Sequence, residues 1–266
     1  MSLESVTVLK ETRHGRMLFL SSDSYIGRSL ELYGEYSEGE AVVFRQLMRP
    51  GDVAVEVGAN IGVHTVTLAK LAGAAGLVIA FEPQRIIFQL LCANLALNGL
   101  INVIARHAAA GAEAGSINVP RLDYAMDNNF GGMALGHAEG GEPVPVVALD
   151  SLTLPSLRLL KIDVEGMERA VLSGARQTIA RHRPILYVEN DRRAHSAELI
   201  GMIGEQGYAM WWHAPPLFNP NNFRGHAENV FGAVVSINLL CTPKEMDVRM
   251  EGFRAVSGPA DWWIAE

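Results

Sequence analysis

Six charged side chains, Glu56, Glu82, Lys161, Asp163, Glu165 and Glu189, stand where short apolar runs end, and their spacing defines the chemistry open to this chain. In "KIDVEG", Lys161, Asp163 and Glu165 fall at i, i+2 and i+4, which on a β-strand puts all three on one face. Lys161 follows the apolar "LRLL", so its ammonium needs a carboxylate partner, and Asp163 is the nearest. The group is either a structural ion pair or a cluster that orients and deprotonates a reacting hydroxyl. Glu56 precedes Gly58 and Gly62 in "VEVGANIGVHTV", and Glu82 sits in "FEP". The two glycines let the backbone turn sharply and approach a ligand, and the helix that follows offers free N–H groups. Ala59 and Asn60 break the G-x-G-x-x-G spacing of dinucleotide sites, so the turn alone fits a structural βα junction equally well. An acid at the end of a second strand accepts hydrogen bonds from ribose hydroxyls, and Glu82 is so placed. A pyrophosphate would crowd Glu56. S-adenosylmethionine carries a sulfonium and an ammonium and no phosphate, so it suits this acidic rim better.

The elements that must hold these residues alternate. "VAVEV" reads as a buried strand followed by the helix "VHTVTLAKLAG". "LVIAFEP" is a second strand, with "QRIIFQLLCANLALNGL" the helix after it, capped at Asn98-Gly99, and "NVIARHAA" a third strand. "LRLLKIDVEG" and "PILYVEN" give the fourth and fifth strands, with one helix over "MERAVLSGARQTIARHR" between them. "AHSAELIGMIGEQG" is a helix, and "YAMWWH" and "AVVSINLLCTP" are the sixth and seventh strands. Such alternation implies an α/β fold with a mostly parallel sheet covered on both faces. We expect an extension over residues 1–50, with "GEAVVFRQLMRPGD" a helix running into the first strand, then one domain over 51–266 with a loop or hairpin excursion at 111–148.

The motifs "RPGDVAVEVGANIGVHTVTLA", "GLVIAFEPQ", "ALNGLINV", "LKIDVEGMERAVLSGA" and "PILYVEN" together resemble the FkbM family of class I S-adenosylmethionine-dependent methyltransferases, from about Gly39 to Asn190. The resemblance implies a Rossmann-like sheet of seven strands with the last antiparallel, and methyl transfer to a hydroxyl of a sugar, glycan or natural product. On the family pattern, Glu56, Gly58, Ala59, Asn60 and Gly62 hold the methionine part, and Glu82 the ribose. His107 and Ala108 in "ARHAA" lie beside the adenine, with Thr65, Pro83 and Asp163 completing the donor site. Glu56 stands where many relatives have Asp. Asp163, Glu189 and Asn190 also resemble the acid and acid–amide pair that bind magnesium in catechol-type O-methyltransferases, so a divalent metal is a further expectation there.

Composition bounds the rest. The chain has 266 residues, 49% of them hydrophobic and 19% charged, which is enough apolar material for a large buried core. A net charge of -7 argues against general nucleic-acid binding. The N-terminus shows no signal-peptide pattern and no run is long enough to span a membrane, so we expect a cytoplasmic protein acting on a small-molecule or glycan acceptor. Self-association into a homo-oligomer is left open. His64, His213 and His226 are candidate bases, against a surface or capping role. The aromatics around "PPLFNPNNF" and the loop "DYAMDNNFGGM" either cover an acceptor or close the core, and Tyr33, Glu35 and Glu38 are weaker candidates to reach the site. The alternatives are an N-methyltransferase and a non-catalytic small-molecule-binding domain of the same fold. The charged turn "IDVEG" is unlike the Asn/Asp-Pro-Pro-aromatic run of base methylases.

Overall fold

In a computed structural model that describes residues 3–133 and 140–264, the expected alternation of strands and helices is present. The N-terminal part holds the helix Leu3–Val6 (α1), the hairpin strands Thr7–Thr12 (β1) and Gly15–Leu20 (β2), and the helices Ile26–Leu32 (α2) and Glu38–Leu47 (α3). Then come Val53–Val57 (β3), Val63–Ala72 (α4), Leu77–Phe81 (β4), Arg85–Leu97 (α5) and Val103–Arg106 (β5). Three short strands follow, Ala109–Ala110 (β6), Gly115–Val119 (β7) and Glu142–Val147 (β8). The remainder is Leu159–Ile162 (β9), Glu168–Ser173 (α6), Arg176–His182 (α7), Ile185–Glu189 (β10), Arg193–Glu205 (α8), Tyr208–His213 (β11), Asn238–Pro243 (β12) and Arg254–Ala255 (β13).

The large sheet runs β13-β11-β12-β10-β9-β3-β4-β5. Its β3, β4, β5, β9 and β10 pair in parallel, and β12 is antiparallel to both neighbours, as expected of a Rossmann-like methyltransferase sheet. The difference is an eighth strand. β13 adds two residues to the edge of β11, too short a piece to leave a hydropathy signal. The expected third strand also divides. β5 stays in the large sheet, while β6 joins β7 and β8 in a separate three-stranded sheet, so the excursion is more than a hairpin; its residues 134–139 lie outside the described ones. The helix expected over "MERAVLSGARQTIARHR" is two helices that break at Gly174. A Cβ there would lie 2.0 Å from the Gly111 carbonyl oxygen, so the start of the excursion packs into the break.

Strand parity sorts the core. Val53, Val55, Val57, Leu160, Ile162, Leu186 and Val188 face one layer together with α6, α7 and α8 residues such as Val171, Ile179 and Ile203. Ala54, Val78, Leu159, Ile185 and Tyr187 face the other, against Phe44 and Leu47 of α3 and Leu68 and Ala72 of α4. Polar residues continuing this second set in steps of two reach the carboxyl ends of the strands on the α3–α4 side. No helix among the described residues is long and apolar enough to cross a membrane.

The N-terminal hairpin is clamped to this frame by Asn94 of α5, which is fully buried. Its Oδ1 accepts from Leu18 N at 2.6 Å, and its Nδ2 donates to Leu18 O at 3.0 Å and to Ile61 O at 2.8 Å. One side chain thus ties β2 to the glycine turn after β3. Asn94→Ala is expected to cost about 2–4 kcal/mol of stability by leaving buried backbone groups unpaired, as read from the midpoint of urea denaturation at unchanged slope.

Candidate active site

Sheet register sets the site in two rows. In the lower row Glu56 of β3 pairs with Lys161 of β9, which pairs with Tyr187 of β10. One pleat further toward the carboxyl ends stand Glu82, Gly58, Asp163 and Glu189, with a glycine where three neighbours carry acids. That glycine is required. Gly58 has φ +84°, and a Cβ on it would sit 1.7 Å from the Asp163 carbonyl oxygen. Gly58 thus lines the crevice with main chain alone, between neighbours that carry the Glu82 and Asp163 carboxylates.

Lys161 is the buried centre, with its side chain 2% exposed. Its Nζ lies 3.0 Å from Asp163 Oδ2 and 3.8 Å from Glu56 Oε1. Glu56 Oε2 accepts from the Thr65 hydroxyl at 2.6 Å, which locks β3 to α4. Burial pushes the Glu56 carboxyl up to about 7, with Lys161 and the Thr65 hydroxyl opposing. Burial likewise raises Glu82 to about 7, although the Gln84 and Asn60 backbone N–H groups donate to it at 2.8 and 2.9 Å. Each Glu82 oxygen takes one backbone donor and keeps lone pairs for a ligand's hydroxyls. The residues fit a nucleoside with vicinal hydroxyls.

The crevice over these rows has a volume of about 280 Å³, near the lower bound of roughly 300 Å³ for small-molecule sites. Of the expected donor residues, Glu56, Gly58, Ala59, Asn60, Glu82, Pro83 and Asp163 line it. Thr65 and Gly62 stand behind that wall, Thr65 as the Glu56 donor and Gly62 as the left-handed residue before α4. His107 and Ala108 are not among the lining residues. The His107 ring stacks on Phe88 and its Nε2 bonds the Pro83 carbonyl oxygen at 3.0 Å, and Ala108 is buried in the core.

Lys161, Asp163, Glu165 and Glu189 all line the crevice, but Glu165 does not do so by the route that spacing predicts. β9 ends at Ile162, and Glu165 reaches the site from a turn with φ +54°, where the Arg192 guanidinium donates to its Oε2 at 2.7 Å. Burial and the Asp163 charge lift Glu165 to about 7. Glu189 is raised well above the usual carboxylate range by burial and by the charges of Asp163 and Glu165, and its Oε2 is buried without a hydrogen-bond partner.

Asn190 does not join the expected metal set. Being one residue on from Glu189, it turns away from the crevice, and its amide donates to Ser196 Oγ at 2.9 Å. The acids that meet are Asp163, Glu165 and Glu189, with one oxygen of each within 4.8 Å of the others. Lys161 already pairs with Asp163 and Arg192 with Glu165, so two of the three are neutralised from within the chain. With two of its three acids already paired, this donor set does not fit a divalent ion.

The outer wall comes from Tyr25, Ile26 and Tyr36 before the sheet, from Gly131 to Met133 in the candidate loop "DYAMDNNFGGM", from Leu217 in the candidate loop "PPLFNPNNF", and from Val234 to Ser236 before β12. Tyr33, Glu35 and Glu38 brace this wall and do not line it. Tyr33 Oη donates to the Glu228 carbonyl at 2.9 Å, Glu35 accepts from Arg13 at 2.5 Å and Asn219 at 2.7 Å, and Glu38 bonds His14 and Arg45. Trp212, Phe218 and Phe223 are also outside the lining. His213 bonds the Tyr187 hydroxyl at 2.7 Å and His226 packs on Tyr33, so of the three candidate bases only His64 lines the crevice.

Residues 56–210 match the family model described as the methyltransferase FkbM domain. No curated protein matches the chain. Among solved structures, the methyltransferase FkbM from Methylobacillus flagellatus is similar at 18% identity and TM-score 0.47, covering 82% of this chain and 55% of that one. Thus the chain spans about half the length of that relative. Trm5b from Pyrococcus abyssi is similar at 10% identity and TM-score 0.49, covering 89% and 56%, and M. jannaschii TYW2 in complex with AdoMet at 13% and 0.46, covering 89% and 85%.

The raised Glu82 carboxyl has a signed consequence. Its folded-state value of about 7 exceeds its ordinary 4.5, so folding favours the protonated form. Stability from this group is therefore present below about pH 4.5 and is lost as pH rises toward 7. Glu82→Gln is expected to raise the thermal midpoint of the free protein relative to wild type by more at pH 8 than at pH 5. An equal difference at both pH values contradicts the assignment.

Proposed function

The chain belongs to the FkbM methyltransferase family, and from that premise we propose that it transfers the methyl group of S-adenosylmethionine to a hydroxyl oxygen of a small sugar, glycan or natural-product acceptor. The donor supplies an electrophilic methyl on a cationic sulfur; the chain's residues position the partners and handle the proton. The observation that carries this reading is the upper row Glu82–Gly58–Asp163–Glu189, in which a side-chain-free stretch of lining between acids suits a cationic adenosyl donor. Glu82 receives the ribose hydroxyls, and the turn from Gly58 to Asn60 supports the chain toward sulfur. Asp163, held by Lys161, faces the sulfonium.

Beyond Asp163 lies the acceptor side. As the new O–C bond forms, the acceptor's hydroxyl proton becomes strongly acidic, and the unpartnered Glu189 Oε2 takes it. Glu165 sits beside Glu189, and because two carboxylates this close do not both ionise readily the resting pair holds one proton. Turnover therefore uses the form in which Glu189 is the ionised member, and the pair ends with two protons, one of which then leaves to solvent. Tyr25, Tyr36, Leu217 and Val234 offer apolar faces of the kind that pack on a sugar ring.

Labelled methyl transfer from S-adenosylmethionine to a panel of neutral sugars, glycolipids and amines tests the reading. Label on an oxygen acceptor, with turnover about 10²–10⁴-fold lower in Glu189→Gln at donor affinity within about twofold, is the expected result. Label on amines only, or an undiminished Glu189→Gln, contradicts it.

A further inference from the structure

A buried dyad that the donor and acceptor roles above leave unused joins the N-terminal segment to the crevice. His64, second residue of α4, lines the crevice at 7% exposure. Its Nε2 lies 3.6 Å from Glu40 Oε2, and its Nδ1 is buried without a partner. Glu40, from α3 and outside the matched residues 56–210, is 2% exposed. It accepts from Ser37 Oγ at 2.8 Å through Oε1, while its Oε2 is also unpartnered. The ring is fixed by edge contact with Phe44 at 5.4 Å and lies 6.2 Å from Tyr36. A buried polar atom without a partner, on a rigidly packed histidine that lines the crevice, is costly unless a ligand completes it.

The charge around His64 decides which ligand group. α4 has ten residues, and its N-cap, Gly62, supplies no side-chain cap. Its first N–H groups therefore face outward with the positive end of the helix dipole. Lys161 adds positive potential at the ring, and together with burial it holds the free imidazole neutral. Nε2 faces the Glu40 carboxyl, so Nδ1 is the ring nitrogen left for a ligand, and the neutral tautomer with its proton on Nδ1 presents a donor there. Such a place suits an anion.

Resting on the donor site described above, we propose that His64, backed by Glu40 and joined by the α4 N-terminus, binds the α-carboxylate of S-adenosylmethionine. The N-terminal segment thereby completes the donor site and distinguishes the full donor from fragments without the carboxylate. The donor's ammonium is left to Glu56 and Asp163, on the acidic side of Lys161.

Calorimetry on the full chain with S-adenosylmethionine, decarboxylated S-adenosylmethionine and 5′-methylthioadenosine tests this. A hydrogen bond to a charged group corresponds to about a tenfold to hundredfold effect. His64→Ala is expected to weaken the full donor by that factor while leaving both ligands that lack the carboxylate within about twofold. His64→Gln, which keeps an N–H donor, is expected to recover part of the loss. Glu40→Gln is expected to show the same ligand pattern at smaller amplitude, a readout that survives if His64→Ala folds poorly. Equal weakening of all three ligands would mean that His64 only supports the wall, and equal loss for the two ammonium-bearing ligands would mean that it reads the ammonium. Either outcome overturns the proposal. Wild-type chain that binds none of the three overturns the donor reading itself, a result distinct from both.

Discussion

A buried ammonium governs this site. Lys161 lies in the middle of the sheet, in register with Glu56 on one side and Tyr187 on the other, and its charge is sheltered from water. Taking an ammonium out of water costs several kcal/mol, and only nearby carboxylates offset it. Asp163 and Glu56 do so, and each is thereby held at the carboxyl edge in a fixed direction. The arrangement couples stability to function: the acids that balance Lys161 are those that face the crevice.

The second constraint is the glycine floor. Main chain from the end of β9 runs so close to Gly58 that no side chain fits there, so main chain alone lines the crevice between Glu82 and Asp163. The wall above it is assembled from three distant parts of the sequence, braced by buried polar side chains. Glu35 alone collects Arg13, Asn219 and the Phe223 backbone N–H, which fastens the N-terminal segment to the loop before β12. Ser24 N and Asn128 N bond across to the carbonyls of Asn128 and Ser22, fastening the same segment to the excursion. The strand edge and the excursion's part of the wall lie within the family-matched residues 56–210, while Tyr25, Ile26, Tyr36, Leu217 and Val234 to Ser236 lie outside them.

Much of the edge was legible in the sequence because it rests on local rules. Period-two alternation, a glycine turn before a helix and an acid closing a strand are short-range signals, and they located Glu56, Gly58, Glu82, Lys161 and Asp163. Asn190 could have been set aside by the same alternation, since adjacent strand residues point to opposite faces and Glu189 already faces the crevice. Glu165 arrives at the site by another route, because the strand ends before it and a left-handed turn restores its direction. Tyr25, Tyr36, Glu40 and Ser236 were not legible. Tyr33, Glu35 and Glu38 mark the stretch around Tyr36 and Glu40, but only the long-range packing of α2, α3 and the β12 approach brings Tyr25, Tyr36 and Ser236 to the crevice and sets Glu40 behind His64. His107 lies next to the expected strand, and its ring packs on Phe88 and bonds the Pro83 carbonyl, contacts that strand alternation does not encode.

The central claim is that an adenosyl donor lies across the carboxyl edge with Glu82 on its ribose and its sulfur over Gly58 toward Asp163. A crystal structure of the chain with S-adenosylhomocysteine measures this directly. The account predicts both ribose hydroxyls within hydrogen-bond distance of the Glu82 carboxylate and the thioether sulfur between Gly58 and Asp163. A ligand bound elsewhere, or one seated in the crevice with its ribose away from Glu82, would contradict it.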